Sequence, residues 1–241
     1  MKLISFSLGT IHTWMKCDNR ASLLKFVKKL DIQGLEITLA TWEQVYNLKF
    51  SESDLRYIRG LKYVSIHAPF RITRRSTDRK EIERLLTRIE KIYMDTNSKA
   101  VIIHPADLPK PDILNKYSFK VITETVPKSH KEYRNLKLEK VFKKYPSIGL
   151  CLDVAHSYRN SKTETEYIVK KFKKRIKQVH ISGVYRNRDH IDLKSSTKDF
   201  MKSIEPIEEL DVPIIIEEGF DKGKMTSIRS EIKLVRKLFF Q

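Results

Sequence analysis

The feature that most constrains this chain is a rhythm. Eight short, β-rich apolar runs recur about every thirty residues, each followed by a longer charged segment. The runs are Leu3-Ile4-Ser5-Phe6, Gly34-Leu35-Glu36-Ile37, Tyr63-Val64-Ser65-Ile66, Val101-Ile102-Ile103, Val121-Ile122-Thr123, Gly149-Leu150-Cys151-Leu152, Gln178-Val179-His180-Ile181 and Val212-Pro213-Ile214-Ile215-Ile216. Short runs this nearly continuous suit parallel strands covered on both faces. Between them lie helix-period segments. Glu81 to Tyr93 places Ile82, Leu85, Leu86, Ile89 and Ile92 on one stripe, and Tyr167 to Ile176 and Ile228 to Phe239 follow a similar pattern. After the fourth run the helix shrinks to a turn or two around Pro111-Asp112-Ile113-Leu114.

Eight βα units in 241 residues match the size of a (β/α)8 TIM barrel, an α/β fold. An open doubly wound sheet would alternate too, but eight strands without a composition break favour closure. No linker or low-complexity tract interrupts residues 1–241, which read as one domain. No run approaches the ~18 apolar residues of a spanning helix, and the apolar stretch after Met1 is too short for a secretory leader. Cys17 and Cys151 are the only cysteines, too few for a disulfide scaffold or a four-thiolate zinc site. The expectation is a soluble, monomeric, cytoplasmic protein. Lys and Arg outnumber Asp and Glu 48 to 30, a net charge of +18. Heat-adapted surfaces enrich Glu alongside Lys, whereas here the acids lag, so the surplus points to a polyanionic partner, nucleic acid first.

The third to eighth runs each end in a residue able to bind metal: His67, His104, Glu124, Asp153, His180 and Glu217. A barrel gathers the C-terminal ends of its strands around one mouth, so these side chains converge there. His156 follows three residues after Asp153, and His190 lies in the loop after the seventh strand; five of the seven histidines belong to this set. Singly, each has a bland explanation: a histidine closing a strand is usually a satisfied rim group, and Asp153 is placed to cap a helix. Together they do not, because Glu124, Asp153 and Glu217 at one mouth repel unless cations neutralise them. Carboxylates mixed with imidazoles suit Zn²⁺, with Mn²⁺ as the alternative.

The segments Val64-Ser65-Ile66-His67-Ala68-Pro69-Phe70, Ile103-His104-Pro105, Ile122-Thr123-Glu124-Thr125 and Leu152-Asp153-Val154-Ala155-His156-Ser157, with Val179-His180, Asp189-His190 and Ile216-Glu217, resemble the endonuclease IV family of xylose-isomerase-like barrels. The likeness covers about two-thirds of the chain. It implies a zinc-dependent phosphodiesterase that cleaves DNA 5′ to abasic sites with two or three ions. By that resemblance His67 and His104 hold one ion, Glu124 bridges to a second on Asp153, His180 and Glu217, and His156 and His190 hold a third. Arg188 stands where the family has an aspartate, leaving Asp189 as the substitute ligand. The family's tyrosine after the third-strand histidine is Phe70 here, and its glycine after His-Pro is Ala106.

Single-metal sugar isomerases and epimerases of the same superfamily use a Glu, Asp, His, Glu set, which Glu124, Asp153, His180 and Glu217 also satisfy. His67, His104 and His190 are what such an enzyme does not need. A third possibility is an inactive barrel that serves as a basic nucleic-acid-binding protein. Arg71, Arg74, Arg75, Arg79 and Lys80 after the third strand, and Arg186 and Arg188 after the seventh, are expected on the metal-bearing face against a phosphate backbone, with Phe70 stacking on damaged double-stranded DNA or simply packing. Lys170, Lys171, Lys173, Lys174 and Arg175 read as the solvated face of an outer helix. In this scheme Glu124 or Glu217 takes the proton of the attacking water.

Overall fold

The computed structural model describes residues 2–15, 17, 19–129, 137–186, 188–219 and 225–240. Its strands are β1 (Ile4–Ser7), β2 (Gly34–Thr38), β3 (Tyr63–His67), β4 (Ala100–Ile103), β5 (Val121–Glu124), β6 (Gly149–Asp153), β7 (Ile176–Ile181), β8 (Gly183–Tyr185), β9 (Arg188–Ile191) and β10 (Ile214–Ile216). Eight of them close into a parallel barrel, β1-β10-β7-β6-β5-β4-β3-β2, so the chain is a (β/α)8 TIM barrel and not an open sheet. Closure is made by Ile4, Ser5 and Phe6 of β1 beside Ile214, Ile215 and Ile216 of β10. The strands β8 and β9 form a separate antiparallel hairpin in the loop after β7.

The strand pleat sorts each run into two faces. One parity, including Ile4, Phe6, Leu35, Ile37, Val64, Ile66, Val101, Ile103, Leu150, Leu152, Val179 and Ile181, joins the main core under the helices. The other parity faces the barrel axis, where Ala100, Ile102, Ile122 and Cys151 form a small cluster of their own. Ser5, Ser7, Glu36, Ser65 and Gln178 share that second parity and are fully buried. The barrel axis is therefore far more polar than near-continuous apolar runs suggest. Several of these groups pair with one another: Ser7 and Thr38 hydroxyls lie 2.6 Å apart, and Tyr63 donates to Gln178 Oε1 at 2.8 Å, while Ser5 Oγ is buried without a hydrogen-bond partner.

The helices follow their apolar stripes. The longest, Arg79–Asp95, is capped by Asp78 and buries Ile82, Leu85, Leu86, Ile89 and Ile92, the stripe expected from sequence. Truncating one of these leucines to Ala would cost about 2–5 kcal/mol. The segment expected as helix from Tyr167 to Ile176 differs: the helix runs Glu164–Phe172, a 3-10 turn covers Lys173–Arg175, and Ile176 already belongs to β7. Parallel pairing with β6 claims Ile176 for the sheet. After β4 the helix is the single turn Pro111–Leu114, as its short spacing requires.

Candidate metal centre

His67, Glu124, Asp153 and His180 lie on the inward parity of β3, β5, β6 and β7, and His104 and Glu217 continue that parity just past β4 and β10. His156 comes from the helix Val154–Asn160, whose start is fixed by Asp153: its Oδ1 caps the helix by accepting from the His156 N–H at 2.7 Å. Cap and ligand are compatible roles here. The other oxygen, Asp153 Oδ2, is buried without a hydrogen-bond partner and lies 3.5 Å from His156 Nδ1. His190 sits on β9 with a left-handed backbone, φ 53°.

Ligand atoms gather in connected groups: His67, His104 and Glu124; Glu124, Asp153, His180 and Glu217; and Asp153, His156 and His190. Glu124 joins the first two. Its Oε2 lies 3.2 Å from His67 Nε2 and 2.9 Å from His104 Nε2, while its Oε1 lies 3.0 Å from His180 Nδ1. Glu217 Oε2 stands 2.7 Å from the same His180 nitrogen, and His156 Nε2 faces His190 Nε2 at 3.1 Å.

Each of four imidazoles has one ring nitrogen held by an acceptor outside these groups, which turns the other nitrogen inward. His67 Nδ1 donates to the Ala68 carbonyl at 3.0 Å, His156 Nδ1 to the Thr125 carbonyl at 2.9 Å and His190 Nδ1 to the Glu217 carbonyl at 3.0 Å; His180 Nε2 donates to Glu36 Oε2 at 3.0 Å. This is how histidines are oriented around metal ions. An orphaned buried carboxylate oxygen, a shared carboxylate and inward-facing imidazoles fit divalent cations of the Zn²⁺ or Mn²⁺ kind.

Electrostatics agree. Burial works against a charged His67, but Glu124 outweighs it and raises the ring to about 9. His190 is likewise held at about 9 against burial by Asp153 and Glu217, and His180 is raised well above its ordinary value against burial, with Cys151, Glu36 and Glu217 the leading opposing influences. Burial pushes the Glu124 and Glu217 carboxyls up, yet the histidines pull Glu124 well below its ordinary value and Glu217 to about 2. Burial dominates at Asp153 and raises it. The mouth thus attracts positive charge strongly.

A cleft of about 760 Å³ opens above these groups, walled by Trp42, Phe70, Arg71, Arg74, Arg75 and Pro127. Phe70 is 43 % exposed, and its ring packs 5.4 Å from His67 and 5.0 Å from His104. Arg71 has a left-handed backbone, φ 63°, and its N–H donates to Asp107 Oδ2 at 2.9 Å. Arg74 grips the same buried carboxylate at 3.1 Å, and Arg75 lies over Trp42 and pairs with Glu43 at 2.6 Å. Other basic residues do not wall the cleft. Arg186 and Arg188 are exposed on the β8–β9 hairpin and do not line the cleft, and Arg79 is paired with Glu83 and Asp112. Asp189 meets Arg159 at 3.2 Å, and the group beside His190 takes Asp153 as its carboxylate instead. Lys170 and Lys171 pair with Glu166 and Glu139 on an outer helix, a solvated face as read from sequence.

Sequence reasoning passed over Glu36, Gln178 and Asp107, all fully buried. A signal for Glu36 was present: an acid inside the apolar run Gly34-Leu35-Glu36-Ile37, on the parity of Thr38.

No protein-family model matches the chain, and no curated protein matches it. Solved structures do. The probable 3-DHS dehydratase AsbF of Bacillus anthracis aligns over 98 % of both chains at 12 % identity, with a TM-score of 0.71. Endonuclease IV from Thermus thermophilus aligns over 98 % of both chains at 14 % identity and TM-score 0.69. A D-tagatose 3-epimerase-like protein aligns over 98 % of this chain and 96 % of its own at 15 % identity and TM-score 0.68. What these structures share with the chain is the TIM-barrel fold. Endonuclease IV, an epimerase-like protein and a dehydratase all share this barrel with the chain, so the likeness extends to architecture and leaves the reaction to be argued from the site. Among the described residues no helix is long and apolar enough to cross a membrane.

Proposed function

We propose that this xylose isomerase-like barrel is a metal-dependent phosphodiesterase acting on abasic or otherwise damaged double-stranded DNA. The observation that carries the reading is the division of Glu124: one oxygen faces His67 and His104, the other faces His180. A carboxylate so divided suits a bridge between two cations, and a single-ion site has no use for the first pair of histidines. His67, His104 and Glu124 would hold one ion, and Glu124, Asp153, His180 and Glu217 a second, with Asp153, His156 and His190 a place for a third. Divalent ions there would supply Lewis acidity and acidify a water at neutral pH.

The chain's own groups do the rest. Arg71, Arg74 and Arg75 set positive charge along one wall of the cleft, which supports backbone phosphate contacts. Glu217, partly exposed at the mouth, and Glu124 are placed to take the proton of the attacking water. Phe70 offers an exposed aromatic edge over the first pair of histidines, where a base or an unpaired gap in the duplex would lie. The protein is taken to act as a monomer in the cytoplasm.

The compact group Glu124, Asp153, His180 and Glu217 favours a second reading, a sugar or sugar-phosphate isomerase or epimerase with one ion. The two readings part on one experiment. Metal-replete protein is incubated with a labelled duplex carrying a single abasic-site analogue. Incision 5′ to the analogue, leaving a 3′-hydroxyl, in preference to intact duplex is the expected result. Ketose interconversion with no strand cleavage would put the isomerase reading in its place.

A further inference from the structure

Of the four histidines whose outer ring nitrogen has a described acceptor, three use main-chain carbonyls: His67 on Ala68, His156 on Thr125 and His190 on Glu217. His180 alone of the four uses a side chain, Glu36. Glu36 lies on β2, across the barrel axis from β7, and is fully buried. Its Oε2 collects three donors: Ser65 Oγ at 3.1 Å, Gln178 Nε2 at 3.0 Å and His180 Nε2 at 3.0 Å. Gln178 Nε2 also lies 2.9 Å from His180 Nε2, so the carboxylate, the only acceptor of the two groups, is what fixes the proton there. Gln178 is itself held by the Tyr63 hydroxyl at 2.8 Å, so strands β2, β3 and β7 are tied through one carboxyl beneath the metal groups.

We infer that Glu36 is the positioning residue of the central ion: it locks His180 as the Nε2–H tautomer and presents Nδ1 to the ion held with Glu124, Asp153 and Glu217. The inference needs only that the chain binds divalent ions, whichever reaction they serve. The physical reason is that an imidazole has two nearly equivalent nitrogens, and the acceptor opposite one of them decides which is left with a lone pair. At the other three histidines that acceptor is main chain and no substitution removes it. At His180 the choice is written into a side chain. Ser65 and Gln178 fix the Glu36 carboxyl from two further directions, so the ring meets an acceptor whose position is already set before any ion arrives.

Glu36→Leu removes the acceptor at similar volume, whereas Glu36→Gln keeps an oxygen able to accept from Nε2–H. Successive Zn²⁺ dissociation constants are measured against a chromophoric chelator for wild type and both variants, and the His180 tautomer is read in zinc-loaded wild type by long-range ¹H–¹⁵N correlation. The expected result is a metallated Nδ1 with a protonated Nε2 in wild type. Glu36→Leu should lose about 10–100-fold in affinity at one site, with the remaining sites little changed, and Glu36→Gln should recover most of that loss. Zinc on His180 Nε2, or wild-type affinities in Glu36→Leu, overturns the inference, as does a uniform loss at every site in both variants. If Glu36→Leu does not fold, the tautomer of wild type decides by itself. Wild type that takes up no zinc overturns the metal reading as a whole, an outcome distinct from the others.

Discussion

Asp189 gives its carboxylate to Arg159, 3.2 Å away, and is not among the ligand atoms gathered with His156 and His190. The sequence suggested Asp189 as a replacement for the aspartate that Arg188 displaces. With Asp189 engaged, Asp153 Oδ2 is the carboxylate oxygen nearest those histidines. Asp189→Ala should therefore leave the metal content of the purified protein unchanged and cost about 1 kcal/mol or less in stability, as for other half-exposed pairs. Loss of one ion per chain by atomic absorption would show that Asp189 rotates inward when metal binds.

Glu124→Gln and Asp153→Asn should abolish activity under either enzymatic reading, because both side chains belong to the central group. His67→Ala and His104→Ala separate the two readings. If a second ion sits on these histidines, each variant loses one equivalent of metal and on the order of 10²-fold or more in turnover. Wild-type stoichiometry and turnover in both would leave one ion and favour the isomerase.

Acidity should govern metal uptake. In the metal-free protein His67 and His190 are each raised to about 9, burial being outweighed by Glu124 at the first and by Asp153 and Glu217 at the second. A histidine raised in the folded state stabilises it below the unfolded value near 6.5, and that contribution disappears as pH climbs through 9. Chelator-treated protein should thus lose thermal stability between about pH 6.5 and 9 from these groups, while zinc affinity rises over the same interval as protons leave the rings. Titration calorimetry in buffers of differing ionisation enthalpy reads the released protons directly. Zinc uptake at pH 7 without proton release would contradict these assignments.

Binding of duplex DNA should depend on the cleft wall and not on total charge. Arg75→Ala removes a guanidinium that lines the cleft over Trp42. It should weaken binding and lower the slope of log K against log salt by about 1. Lys170→Ala and Lys171→Ala, on an outer helix that does not line the cleft, should leave both nearly unchanged. Equal losses in all three variants would mean that binding is diffuse and that the cleft is not the docking face.

Much of this molecule was legible in one dimension. The eight runs, their spacing and the residue ending each of the last six are local properties, and parallel strand direction follows from them because every strand must enter from the same side. Closure was favoured by the count of eight and is shown by the β1–β10 pairing. His67, His104, Glu124, Asp153, His180 and Glu217 could be paired with one another from sequence because strand ends converge wherever a barrel closes. What the sequence left open is everything set by pleat parity and by partners distant along the chain. Glu36 is one residue of an apolar run until closure brings β2 opposite β7 and puts its carboxyl 3.0 Å from His180, 144 residues away. Asp107 and Arg74, 33 residues apart, meet only when the loops after β3 and β4 pack together, and that meeting fixes where the Arg74 guanidinium stands on the cleft wall. Asp189 and Arg159 pair across 30 positions for the same reason. Spacing dictates which backbone positions share the barrel mouth; which way each charged side chain turns there was decided by the partner that tertiary packing set beside it.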